Sequence, residues 1–144
     1  MYRSCASMTR RLDSPSGSVG RMDPLFERSA PGVRQIFVAL QALVREVMPD
    51  AGEQLDLPDR LVAFGFGPPG GIRMRGLAVA LIPHAAHVNV QLADGAALAD
   101  PLGIIEGTGK RIRHVKCRTP EDVARPELRA LLEEQAHLRR FGGR

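Results

Sequence analysis

"LAVALIPHAAHVNVQL", residues 77–92, carries two different hydrophobic patterns separated by a turn. From Leu77 to Ile82 every position is apolar, the composition of a strand buried on both faces. Pro83-His84-Ala85-Ala86 interrupts that run and supplies a turn. His87 to Leu92 then alternates, with Val88, Val90 and Leu92 on one face and His87, Asn89 and Gln91 on the other, because successive side chains of a strand point to opposite sides. The stretch therefore predicts an antiparallel hairpin. Its second strand turns one side into a core and the other, polar side away from it. If helices cover one face of the sheet, His87, Asn89 and Gln91 line the other, which is where a ligand is expected.

Outward from the hairpin, "LVAFGFG" (61–67) and "IRMRGLAVALIP" (72–83) read as short apolar strands, and "RIRHVKC" (111–117) as a last strand. Between them "ALADPLGIIEGTGK" is punctuated by glycines and reads as irregular chain with a helical turn. On the N-terminal side Val33, Ile36, Phe37, Leu40, Leu43, Val44 and Val47 recur every three or four residues, the period of a helix with one buried face, with Pro31 in its first turn and Pro49 ending it. On the C-terminal side Thr119 caps a turn with Pro120 first and Asp122 three residues on, a variant of the capping box. Pro126 starts a further helix with Leu128, Leu131, Leu132 and Leu138 as its apolar stripe. The prediction is an α+β domain with an N-terminal helix, an antiparallel sheet and C-terminal helices.

The 144 residues suit one domain with a single core. No apolar run approaches the roughly 20 residues that span a bilayer, so the chain is expected to be soluble and cytoplasmic. The pI near 9.8 suggests nucleic acid until the charges are placed. Arg3, Arg10, Arg11 and Arg21 stand against Asp13 alone, and Arg139, Arg140 and Arg144 against no acid; together they exceed the whole net charge of +4, leaving residues 23–138 slightly acidic. Residues 1–22 and 139–144 are accordingly expected to be disordered basic ends around a domain at 23–138, with Met8 and Met22 as alternative starts of translation. Aromatic residues at 4% and the absence of Trp argue against stacking on bases. Cys5 and Cys117 are the two cysteines and have no Cys-x-x-Cys spacing, so no disulfide framework is expected.

In "HVNVQLADGAALADPLGIIEGTGKRIRHVK" (87–116) the chain resembles the YdhG-like family of small bacterial domains, related in fold to frataxin and including a proposed iron chaperone. The motif residues are His87, Val88, Gly95, Asp100, Pro101, Gly107, Thr108, Gly109, Lys110, Arg113, His114, Val115 and Lys116. The resemblance extends from Asp23 to Leu138. It implies two layers, with a sheet of about five antiparallel strands packed against helices, and a role in handling iron or iron-sulfur clusters. The family's second element commonly has Glu followed by an aromatic, Gly and Pro; here Glu53 is followed by "QLDLPDR", a departure in the N-terminal half.

Two site hypotheses follow. Gly107 and Gly109 can turn successive N–H groups into an anion-binding nest, with Lys110 and Arg113 supplying charge and His87 and His114 nearby. The Walker spacing is absent, since Arg111 follows Lys110 where a hydroxyl is needed. The alternative is a glycine turn opening an edge strand whose cations deter aggregation. Alternation sends Lys110, His114 and Lys116 to one side and Arg111 and Arg113 to the other. For iron, carboxylates are needed. Asp50, Glu53, Asp56 and Asp59 recur every three residues and form a site if that stretch presents one face; the alternative is solvated loop acids. His84 and His87, three apart across a turn, are close enough to share a metal, but two ligands do not make a site.

Catalytic signatures are missing. There is no Gly-x-Ser-x-Gly and no His-Glu-x-x-His. Cys117 and His114, three apart on a strand, point to opposite faces. The expectation is a binding protein rather than an enzyme, its partner a small ligand or an acidic protein.

Overall fold

Five antiparallel strands follow one another in space as they do in sequence in the computed structural model, which describes residues 22–67 and 76–141. They are β1 (Gly52–Asp56), β2 (Leu61–Gly65), β3 (Leu77–Pro83), β4 (Val88–Leu92) and β5 (Arg113–Cys117). The helices are α1 (Pro31–Val47), the single turn α2 (Pro120–Val123) and α3 (Pro126–Phe141). This is the expected α+β arrangement of helix, sheet and helices. Among the described residues no helix is long and apolar enough to cross a membrane.

The hairpin predicted at residues 77–92 forms with Pro83 opposite Val88 and Val79 opposite Leu92. Its apolar side is the centre of the core. Val79, Leu81, Val88, Val90 and Leu92, joined by Val62, Phe64, Val115 and Cys117, pack against Val33, Ile36, Phe37, Leu40 and Val44 of α1 and Leu128, Leu131 and Leu132 of α3. Each buried leucine of this set contributes about 1.5–3 kcal/mol through removal of apolar surface from water. Leu138, expected in the α3 stripe, is only half-buried, while Gln135 and Ala136 of the same helix are fully covered.

Helix starts follow local chemistry. Pro31 opens α1, and the N–H of Ala30 ahead of it donates to Ala85 O in the β3–β4 turn at 2.8 Å, tying helix to hairpin. The capping box at Thr119 is complete: its hydroxyl accepts from Asp122 N at 3.2 Å, and the Asp122 carboxylate accepts from Thr119 N at 3.2 Å.

Three boundaries differ from the sequence reading. β1 is not visible in the hydrophobic pattern: its residues are exposed or half-buried, Leu55 is the one apolar side chain among them, and pairing with β2 defines it. Residues 139–141 are not a disordered tail. They complete α3, because Arg139 and Arg140 close ion pairs with Asp94 and Asp50 that hold the last turn. At the other end Met22 is half-buried against the core beside a 3-10 turn at Asp23–Phe26. The extension expected at 1–21, the strand expected at 72–75 and residues 142–144 of the expected tail lie outside the described residues.

Candidate functional site

Residues directly opposite one another in an antiparallel ladder share a face. The ladders align Gln54, Ala63, Ala80, Gln91 and His114 across all five strands, on the side turned away from the helices. Asn89 and Lys116 are the neighbouring pair on the same side. The middle of this face is apolar, with Leu61, Ala63, Leu77, Ala80 and Ile82 packed together. Its β4–β5 end is ionisable.

There the rings of His84 and His87 stack, with centroids 4.7 Å apart and planes 17° from parallel. His114 and Lys116 come from β5 and Arg118 follows it. Partial burial lowers the pKa of His84, and the neighbouring His114 and Lys116 lower it further. His87 is lowered first by burial, then by His84, Lys116 and Arg118, while an interaction with Asn89 works in the opposite direction. Both imidazoles therefore lie in a positive field. Against it stands Glu106, whose Oε1 is 3.5 Å from Lys116 Nζ. Such a field favours an anion.

The glycine loop has a different role from the one expected. Glu106 and His114 exchange backbone hydrogen bonds of 2.7 and 3.0 Å, so residues 107–113 form a closed loop at the head of β5. Gly107 has φ +111°, a conformation other residues resist, but Gly109 is not in the left-handed region, so the two glycines do not build the expected nest. Gly109 is required for space: a Cβ there would lie 2.5 Å from Ile112 O. Arg113 Nε donates to Gly109 O at 2.9 Å, and Arg111 pairs with Asp94 at 2.9 Å. Lys110 is exposed. The proposed group of Gly107, Gly109, Lys110, Arg113, His87 and His114 is thereby divided. Arg113 stands opposite Leu92, on the helix side of the sheet, whereas His114 stands opposite Gln91 on the other side.

The four acids do not converge. Asp50 accepts from Arg140 at 2.5 and 3.2 Å. Glu53 is held by Arg45 at 2.7 and 2.8 Å and by the buried Gln41 at 2.9 Å. Glu53 and Asp56 both lie in β1, where a separation of three puts them on opposite faces, and Asp59 donates its N–H to Asp56 Oδ1 at 3.0 Å in the following turn. A spacing of three marks one face of a helix; this segment is a strand. Among the described residues no group of three or more His, Cys, Asp or Glu side chains is arranged to hold a metal ion.

His84, Lys116 and Arg118 were not among the residues singled out for an anion. The signal for Lys116 was present in its alternation with His114. Joining it to His84 and His87 required the strand register. No protein-family model, curated protein or solved structure matches this chain.

Proposed function

We propose that this protein is a small, non-enzymatic binding protein that holds an oxyanion, a phosphate or carboxylate group, at the β4–β5 end of the helix-free sheet face. The observation that carries the reading is the β4–β5 ladder. It sets Lys116 and His114 beside the stacked His84–His87 pair, with Asn89 and Gln91 as polar neighbours. The two-layer α+β architecture agrees with the YdhG-like, frataxin-related resemblance seen in residues 87–116. The iron handling which that resemblance implies draws no support from Asp50 and Glu53, whose carboxylates are already bound by arginines.

The test is calorimetric titration of the full chain with inorganic phosphate at neutral pH. Saturable binding that Lys116→Ala removes and Lys110→Ala retains supports the reading. Binding that survives Lys116→Ala places the anion elsewhere, and an absence of binding refutes the site.

A further inference from the structure

The turn that carries His84 and His87 is fixed from two sides. Within it His84 N donates to His87 O at 2.8 Å. From the segment leading into α1, Ser29 Oγ donates to His84 O at 2.8 Å and Ala30 N to Ala85 O at 2.8 Å. The two rings are thus presented by an anchored backbone, in nearly parallel planes 4.7 Å apart. Imidazole N–H groups lie in the ring plane, and with the centroids 4.7 Å apart a single oxyanion at the ring edges is within reach of one N–H from each ring.

The charges around the pair are unbalanced. His114, Lys116 and Arg118 face it from β5 and its end, and Ser29, on the α1 side, is neutral. Two carboxylates touch this group: Glu106, paired with Lys116, and Asp122, which accepts from Arg118 N at 2.8 Å and is itself paired with Arg125. Asn89 Oδ1 is buried without a partner in hydrogen-bonding geometry, and its interaction with His87 favours the charged ring. A proton on either ring meets like charge from Lys116 on β5, and on His87 also from Arg118. A bound oxyanion reverses the balance by placing negative charge against both rings and accepting from their N–H groups.

We infer that the His84–His87 pair is the receiving element of this site and takes up a proton as the oxyanion binds. The inference rests on the anion-binding reading above. It specifies the ligand chemistry as an oxyanion held by two imidazole N–H groups and the Lys116 ammonium, bound more tightly in acid. The proton comes from solvent and ends on an imidazole nitrogen; no covalent bond to the anion is made.

Sulfate is the probe, since it does not itself titrate in the range where histidine does. Calorimetric titration of the full chain between about pH 7.5 and about pH 5.5, in pairs of buffers with different ionisation enthalpies, reads both affinity and protons exchanged. The expected result is a rise in affinity of about tenfold over this range, with uptake of up to about one proton per anion. His84→Gln and His87→Gln should each flatten that dependence while leaving the thermal midpoint in place. Affinity that is independent of pH, with no proton exchanged, overturns the proton-linked role and leaves the anion site standing. Failure of sulfate and phosphate to bind at any pH overturns both. Retention of the full pH dependence in His84→Gln and His87→Gln assigns the proton to another group and overturns the inference.

Discussion

Arg139 grips Asp94 with two hydrogen bonds, Nε to Oδ2 at 2.9 Å and a terminal nitrogen to Oδ1 at 3.1 Å, across 45 residues of sequence. Asp94 also accepts from Arg111 at 2.9 Å and from the Gln135 side-chain nitrogen at 2.8 Å, while its own N–H donates to Gln135 Oε1 at 2.7 Å. One carboxylate thus joins the end of β4, the glycine loop before β5 and the last turns of α3. Asp94→Ala leaves Gln135, which is fully buried, and Arg139 without their acceptor. Charge-assisted hydrogen bonds are worth about 1.5–3 kcal/mol each and are not additive, so a loss of about 2–3 kcal/mol is expected in urea unfolding. A loss below about 0.5 kcal/mol, the size of an ordinary surface substitution, would show that the node does not hold these elements together.

Acid should destabilise the fold through three aspartates. Burial alone would raise Asp94, but hydrogen bonds from Arg111, Gln135 and Arg139 outweigh it and hold the carboxyl below its ordinary value. Asp122 is lowered chiefly by Arg125, and Asp50 by Arg140. In the unfolded chain these groups titrate near 3.9, so the stability they confer is fully present above that pH and is lost as pH falls through their lower folded values. Urea midpoints should decline gently below about pH 6.5, where the unfolded chain protonates His84 and His87 before the folded one does, and fall steeply below about pH 4. A midpoint unchanged between about pH 4 and pH 2.5 would contradict this account.

Cys117 should be inert in the folded protein. It is fully buried in the core at the end of β5, and burial pushes its thiol up to about 12, with Asp122 adding to the effect. The thiolate is the reactive form. In the Cys5→Ser protein, reaction with an aromatic disulfide reagent near pH 8 should therefore be slow and limited by opening of the fold, then become immediate in denaturant. Rapid stoichiometric labelling of the native chain would mean that the β5–α2 end opens readily.

Loop and sheet face should separate under mutation. Gly109→Ala places a methyl group against Ile112 O and Gly107→Ala forces a side chain into φ +111°, so each should cost about 1–3 kcal/mol in stability. Neither residue contributes a side chain to the His84–His87–Lys116 cluster, and a Cβ on Gly107 would lie 3.6 Å from the His114 ring, an ordinary contact that leaves the ring in place. Phosphate affinity should stay within about twofold of the parent in either variant at temperatures where it remains folded, against at least tenfold loss in Lys116→Ala. A loss of binding in Gly107→Ala or Gly109→Ala equal to that in Lys116→Ala would return the site to the loop.

Much of the architecture was legible because its signals are local. The period of Val33, Ile36, Phe37, Leu40 and Val44, the contrast between Leu77–Ile82 and His87–Leu92, and the Thr119-Pro120-Asp122 cap each depend on residues a few positions apart, where backbone geometry translates directly into spacing. β1 escaped because a short, polar edge strand has no apolar alternation to display; its identity comes from hydrogen bonds to β2. Arg139 and Arg140 read as a tail because their partners, Asp94 and Asp50, are 45 and 90 residues away. The candidate site is the sharpest case. Sequence alone determined that His87 and Asn89 share one face of a strand and that His114 and Lys116 share one face of another. Only the tertiary structure decided that these are the same face of one sheet and that Arg113 lies across it, because a register set by core packing between Val90 and Val115 leaves no trace in the spacing of either strand.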